Sequence, residues 1–574
     1  MVGAFKFMTR NISKAAPTDT AQHANTTPIS NSTNRGIVCF VNELPDKVLA
    51  NIFVDVRLDS WDDSWYQLLL HVCQRWAAVA RASPVLWSTV SIRKEPKAEL
   101  IRLSLQLSGA LPLDISFIET EKLSVSVSLI SPHASRLRSV RVVRVRATRD
   151  ESLAAFLCQP MPNLKDLELC FIPKMEALPY LAFDDARPPE DLDPFLWNPE
   201  INQSPDLHRL SLGRGVQIVG QLPVYHALRQ LELHDRRAHT PFTIVTFVQF
   251  LSQNPHLEEL SLRQYRPAIV PVPAPLSLPH TIRKFSLEDN AHYVKPFLSS
   301  FHIAPTVDLY LTRALDYLDH GDVDMDDYDS ETMHTVTQLL PDNRSLLPIL
   351  GIVDRVDLSR EFEARYALTA RTPAGTVVEL TGKVHNDAEQ ELREGLHVLE
   401  DITNTFRTAP LVEIRVAGHG SSVLETRHWV RALRTFTTLE RVAIVDTSPD
   451  TRWDARATLL EALRMSERPL KKGKSGSTAT DVPPLAPQLQ SLSFLSREWD
   501  KEDETLSKEL ERCLQSRKAR GCQLRDLRLV LKYGWPRWKS GSNEQENRRR
   551  MEVYATRLQH LVANLHIEFY NFAA

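Results

Sequence analysis

The chain lacks any CxxC pair: its six cysteines, at 39, 73, 158, 170, 513 and 522, are scattered over 574 residues. That spacing excludes a zinc ribbon or a disulfide framework and implies reduced, mostly buried thiols in a cytoplasmic or nuclear protein. No apolar run approaches the roughly 18 residues of a membrane-spanning helix, so no membrane partner is expected. Charge of one sign is also missing. The 69 Lys and Arg against 72 Asp and Glu leave a net −3, which recommends neither nucleic acid nor an anionic surface as partner. Walker loop, dinucleotide glycine fingerprint, HExxH and GxSxG are all absent. Asp322, Asp324 and Asp326 have the alternate spacing of a calcium loop, but Asp327 and Met333 stand where Gly and Glu are required. His385, His397 and His419 read as surface or packing residues, and Cys73 as a packing thiol beside Val72. Gly534-Trp535-Pro536-Arg537-Trp538-Lys539 mixes cations and aromatics, and is read as packing at the chain's far end. No cofactor, metal or catalytic residue is expected.

What is present begins abruptly. Residues 1–40 are rich in Ser, Thr and Asn, with Lys6, Arg10 and Lys14 before any acid. They lack a signal peptide's apolar stretch and read as a disordered tail. NELPDKVLANIF follows. Pro45 suits a first helical turn and Asp46 the positive end of a helix dipole. Val48, Leu49, Ile52, Phe53 and Val56 then recur at helical spacing. Arg57 to Ser64 is a polar connection, and a second helix is expected from Trp65 through Leu68, Leu69, Val72, Cys73 and Trp76 to Ala80. Pro84 interrupts, and Leu86 and Trp87 close the unit before the strand-like WSTVSI. About fifty residues with this much apolar surface hide only a modest share of it alone. They form either a cap on the next domain or a docking module that a partner covers.

Leu44-Pro45, the Val48-Leu49…Ile52-Phe53 helix, Val72-Cys73-Gln74-Arg75-Trp76 and Pro84…Leu86-Trp87 together closely resemble the F-box motif. VCQRWAAVARASPVLWSTVSI is especially similar to the F-box-like domains of mushroom-forming fungi. The resemblance spans residues 41–92, departs from the family at Lys47, and implies binding to the Skp-type adaptor of cullin–RING ubiquitin ligases. The adaptor contacts it implies are Leu44, Pro45, Val48, Leu49, Ile52, Phe53, Leu69, Val72, Cys73, Trp76, Leu86 and Trp87.

Beyond residue 93 a repeat dominates. Leu-x-x-Leu-x-Leu begins at Leu164, Leu207, Leu228, Leu257 and Leu524, with Pro162, Pro205 and Pro255 two places ahead of three copies. Leu100, Leu103 and Leu105 give a further match in a helix-like context. Looser copies start at Leu137, Ile282, Val353, Leu411, Leu439 and Leu489. Amphipathic stretches precede several: Ile244 to Leu251, Trp429 to Phe436, and Leu506 to Leu514. Helix, break and short strand at 20- to 50-residue spacing resemble an irregular leucine-rich-repeat solenoid, an α/β fold with parallel strands on its concave face. The family's Asn after the last Leu appears only at Asn290, so the turns must be satisfied otherwise.

The expected organisation is tail (1–40), F-box-like three-helix module (41–92) and repeat solenoid (93–574), with insertions near 183–206, 316–331, 361–380 and 471–487. The 183–206 segment carries exposed-looking Phe195 and Trp197. Residues 316–331 hold eight acids and no Lys or Arg, residues 361–380 alternate as a β-hairpin around Pro373-Ala-Gly375, and 471–487 read as a flexible linker. The leucines would face the core and the intervening residues the partner side. That surface includes Lys165, Asp166, Glu168, His208, Arg209, Arg229, Gln230, Glu232, Glu258 and Glu259. Lys165, Glu168, Arg209, Arg229, Glu232 and Glu258 are the target-binding candidates. The function expected is a substrate receptor joining the Skp–cullin core to a protein target, the alternative being an F-box-bearing scaffold that delivers no target. An enzyme would instead show perturbed titratable groups in a closed pocket.

Overall fold

The computed structural model describes residues 43–58, 65–93, 97–120, 123–146, 151–172, 195–197, 204–213, 215–218, 223–234, 242–314, 335–361, 365–383, 398–417, 424–445, 455–465, 484–495, 503–532 and 542–570. The tail, the acidic 316–331 stretch, the three histidines named above, the 534–539 patch and most of 183–206 and 471–487 lie outside these.

Four helices open the described chain: α1 (Asp46–Leu58), α2 (Trp65–Val72), α3 (Gln74–Arg81) and α4 (Pro84–Trp87). The single helix expected from Trp65 to Ala80 is divided at Cys73. That residue is extended (φ −160°, ψ 167°), and its Sγ accepts the Trp76 amide at 3.4 Å, capping α3. Cys73 is thus an exposed cap and not a packing thiol. Leu49, Phe53, Leu69, Trp76, Val79, Ala80, Leu86 and Trp87 form a separate small core. Phe53 and Trp76 meet at 5.0 Å between ring centroids, and buried Trp87 donates Nε1–H to the Ala80 carbonyl at 2.7 Å.

A mixed α/β body follows, built on one large, mostly parallel sheet. In chain order its strands are β1 (Thr89–Arg93), β2 (Leu113–Ile118), β3 (Leu137–Arg146) and β4 (Asp166–Ile172). β5 (Phe195–Trp197) and β7 (Val216–Ile218) form a side pair around β6 (Arg209–Leu212). β8 (Gln230–His234) and β9 (Glu259–Arg263) continue the main sheet; β10 (Leu276–Ser277) and β12 (Phe301–His302) make a second side pair flanking β11 (Lys284–Asp289). The rest are β13 (Asp308–Arg313), β14 (Arg355–Glu361), β15 (Arg365–Arg371), β16 (Val377–Lys383), β17 (Glu413–Ala417), β18 (Arg441–Val445), β19 (Ser491–Leu495), β20 (Asp526–Lys532) and β21 (Asn564–Tyr570). Excluding the side pairs, 17 strands join into one sheet. β4, β6, β8 and β9 are successive parallel neighbours, as the repeat predicts.

The chain covers one face of this sheet with helices α5 (Ala98–Leu107), α6 (Leu123–Ile130), α7 (Glu151–Leu157), α8 (Ile244–Ser252), α9 (Ala291–Ser299), α10 (Val398–Thr405), α11 (Thr426–Thr435), α12 (Ala455–Met465), α13 (Asp503–Ala519) and α14 (Ser542–Leu558). From α10 to α14 each helix packs on the next. One apolar core runs beneath them from Val90 to Val562. The helix-like match at Leu100–Leu105 indeed lies in α5, and Leu100, Leu103 and Leu107 pack on the N-terminal module.

The Leu-x-x-Leu-x-Leu pattern has a local mechanism. All fifteen leucines of the five strict copies are buried. In four copies the first leucine closes a turn, its amide donating three residues back: Leu164 to Met161, Leu207 to Ser204, Leu228 to Tyr225 and Leu257 to Asn254, at 3.0–3.3 Å. The next two amides then fork onto one carbonyl of the preceding copy. His208 and Arg209 donate to Lys165, Arg229 and Gln230 to His208, and Glu258 and Glu259 to Arg229. The same fork recurs at Val412/Glu413, Glu440/Arg441, Gln490/Ser491 and Arg525/Asp526. Two residues separate the first and second leucines because two amides are needed there, and no asparagine ladder is required. Asn290 instead caps α9, accepting the Tyr293 amide. Buried Asn254 does bridge copies, accepting the Tyr225 amide at 3.0 Å and donating to Phe250 O at 2.8 Å.

Other expectations need correction. The 361–380 hairpin, expected as an insertion, is present but its strands belong to the main sheet. β16 pairs parallel with β13 and β14 with β17, while β15 runs antiparallel between β14 and β16. Val356, Leu358, Leu368, Ala370, Val378 and Leu380 all bury toward the common core, which keeps these strands in the sheet. Phe195 and Trp197 are buried, Phe195 stacking on Phe171 at 4.8 Å, because strand alternation turns only Leu196 outward. The last four residues of the 471–487 segment are held in place: buried Arg517 donates to the Leu485 and Ala486 carbonyls, both at 3.0 Å. Among the five described cysteines only Cys513 is buried, against the expectation of mostly buried thiols.

Candidate functional site

Two surfaces hold the residues singled out from the sequence. The first is the N-terminal module. Of its twelve candidates, Leu49, Phe53, Leu69, Trp76, Leu86 and Trp87 are 0–7% exposed and hold the helices together. They cannot present themselves to a partner while the module is folded. The surface belongs to Pro45, Val48, Val72 and Cys73, all exposed, with half-buried Leu44 and Ile52. Leu68, absent from the expected set, joins them at 50% exposed. Arg75 gathers this surface: it donates to the Leu44 carbonyl and pairs with Asp46 at 2.7 Å, drawing the α2–α3 junction against the start of α1.

On the opposite side the module is clamped to the sheet. Arg57, expected in a polar connection, lies in the last turn of α1. It donates to Leu86 O at 2.7 Å and Thr89 O at 3.0 Å, with its guanidinium 5.6 Å from the Trp65 ring centroid. Burial lowers its pKa and nearby Asp114 opposes that. The first strand's outer edge is thereby partly closed.

The second surface is the sheet face not covered by helices. Register aligns Asp166, Arg209, Gln230 and Glu259 in one row and Glu168, Ser211, Glu232 and Ser261 in the next. Lys165, Arg229 and Glu258 stand just before their strands, Lys165 and Arg229 exposed. Glu168 accepts Arg141 at 2.7 Å, Arg209 reaches Glu232 at 3.5 Å, and Arg229 reaches Glu258 at 3.8 Å. Glu232 is the hub: Ser211 Oγ lies at 3.2 Å, His234 Nε2 at 3.0 Å and Arg263 at 3.6 Å. The His234 hydrogen bond does most to hold its carboxyl down to about 2, against burial, with the charges of His234 and Arg263 and the Ser211 hydroxyl assisting. Arginines already paired with the face's own acids present a rigid mixed-charge surface and not an open anion pocket. Ser211 and Arg263 were missed as partners of Glu232 because cross-strand register is not written in any one copy of the repeat, whereas His234, two residues along the same strand and on the same face, could have been read from alternation.

No protein-family model matches the chain, and no curated protein matches it. Among the described residues no helix is long and apolar enough to cross a membrane.

A third cluster is internal. Asp401 on α10 is 1% exposed. Its Oδ2 accepts the Val336 amide at 3.2 Å and the Tyr366 hydroxyl at 3.1 Å, and its Oδ1 the Thr337 hydroxyl at 3.2 Å. Burial raises its pKa to about 7 against those hydrogen bonds, and raises that of Tyr366 strongly. Both oxygens are occupied by the chain's own donors, so this group braces β15, α10 and the segment after residue 334 and faces no substrate.

Proposed function

We propose that this chain is a substrate-receptor subunit of a Skp–cullin–F-box type ubiquitin ligase. Its F-box-like module docks the adaptor, and an irregular leucine-rich-repeat solenoid presents its polar concave sheet to a protein target. Chemistry resides on other subunits, and the receptor contributes by raising the target's effective concentration. One observation carries most weight. Of the ten large apolar side chains exposed among the described residues, Val48, Leu68, Val72 and Val85 fall within residues 43–87. A module with a satisfied core that still shows this much apolar surface is suited to a protein partner.

The variant Pro45→Ala/Val48→Asp/Val72→Asp alters exposed positions only, so its melting temperature should match wild type. Co-purification of the Skp-type adaptor should fall more than tenfold. Equal recovery with both proteins, or none with either, overturns the docking assignment.

The pairing of Arg209 with Glu232 and of Arg229 with Glu258 favours a second reading, a docking scaffold that delivers no target. Proximity labelling separates the two. With Arg209→Glu/Arg229→Glu, loss of a labelled partner with adaptor binding intact supports a receptor, whereas an unchanged partner set removes the sheet face as the recognition surface.

A further inference from the structure

The two ends of the sheet differ. At β1 the outer edge meets the N-terminal module, and Arg57 takes the Thr89 carbonyl. At the other end β21 pairs only with β20 among the described residues. Its sequence from 564 to 570, NLHIEFY, has neither proline nor lysine, the usual guards of an edge strand. The Asn564 amide donates to Arg525 O at 2.8 Å, so residue 564 faces β20. Alternation then turns the N–H and C=O groups of Leu565 and Ile567 outward.

We infer that β21 is a homodimer edge, pairing antiparallel with β21 of a second copy about a twofold axis through Ile567. The strand is self-complementary in that register. Ile567 meets Ile567 of the copy as a hydrogen-bonded pair, using the groups that point outward. His566 falls opposite Glu568, and Glu568 opposite His566, on the polar face. Leu565 falls opposite Phe569, whose ring already carries the Arg550 guanidinium at 5.7 Å. A shift of one residue would place His566 against Ile567 and lose both the polar and the apolar matches. Glu568 also pairs with Arg528 at 3.0 Å in its own chain, which fixes it on that face.

α14 packs on β21 and leaves Met551 and Val553 40% and 39% exposed. A strand edge alone buries less than the roughly 1,200 Å² of a stable interface, so the pair is a reversible one. The occupant is a second copy, because the strand carries the complement of its own side chains.

Full-length protein should show a monomer–dimer equilibrium in sedimentation velocity between about 1 and 100 μM, the range of a small interface. Ile567→Pro removes an outward N–H and no bond to β20; it also trims the packing of Ile567 on the core, so the fold should be kept with a melting temperature lowered by a few degrees, and dimerisation should weaken at least tenfold. Geometry is tested by mild oxidation. Ile567→Cys should crosslink to itself, as a hydrogen-bonded antiparallel pair sets Cα atoms about 5.5 Å apart. His566→Cys, offset from its own copy beyond the disulfide limit of about 7 Å, should not. Peptide mapping distinguishes these crosslinks from any through Cys73 or Cys158. A strictly monomeric protein, an undiminished Ile567→Pro dimer, or equal crosslinking at 566 and 567 overturns the proposal.

Discussion

Gly382→Ala is expected to lower stability by roughly 2–4 kcal/mol, combining overpacking with damage to a buried hydrogen-bond cluster. Gly382 pairs with Tyr366 across β15 and β16. A Cβ added there would sit 2.4 Å from Tyr366 Cε1 and 2.9 Å from Cζ. The ring has no easy escape. Its hydroxyl accepts the Val336 amide at 3.0 Å and donates to Asp401 at 3.1 Å, so moving the ring breaks both contacts. Gly351→Ala is the matched control, since its added carbon would meet only Thr408 Oγ1 at 3.6 Å. That change should stay within about 0.5 kcal/mol of wild type. Urea midpoints followed by circular dichroism check both. Equal midpoints for the two variants would mean that the Tyr366 cluster is not a structural brace.

This cluster was invisible from the sequence for a definite reason. Val336, Tyr366, Gly382 and Asp401 are separated by up to 65 residues, and each is unremarkable alone. Asp401 sits in an ordinary amphipathic stretch, and Gly382 interrupts a strand without any turn signal. Only the antiparallel register of β15 with β16 brings the glycine under the ring.

The parallel strands were far more legible, because their cause is local. Apart from the helical match at Leu100–Leu105, the five Leu-x-x-Leu-x-Leu copies and each looser one from Leu137 to Leu489 lead into a strand of the main sheet. The leucine spacing records the turn, the forked amides and the alternation within about six residues. Asn254 was legible only as a break before Pro255, since its bond to the Tyr225 amide lies 29 residues away. The hairpin at Pro373-Ala-Gly375 was recognised, with Gly375 at φ +89° in the turn, but not its place inside the sheet.

The candidate docking surface was legible in part. Helical periodicity finds apolar positions without distinguishing those that face inward from those left over. Phe53 and Trp76 looked surplus because the module's area was reckoned for three short helices alone. The fourth helix and α5 cover part of that face, through Trp87 and through Leu100, Leu103 and Leu107. Cys73 misled for another reason: a cysteine within an apolar run gave no sign that its sulfur would cap the next helix.

The remaining large effect is a pH dependence at Asp401. Its folded pKa, raised by burial to about 7, lies above the ordinary value of 3.8. Between those values the folded chain holds a proton that the unfolded chain has released, so stability falls as pH rises from about 4 through 7. At about 1.4 kcal/mol for each pH unit between them, the ionised form is disfavoured by at most about 4 kcal/mol above pH 7. Asp401→Asn mimics the protonated state. Its carbonyl still accepts from Val336 and Tyr366, and its amide donates to Thr337 Oγ1 once that hydroxyl rotates. Asp401→Asn should therefore match wild type in urea midpoint near pH 5 and exceed it increasingly toward pH 8. A variant whose profile runs parallel to wild type across that range would show that the carboxyl is ionised, and accommodated, throughout.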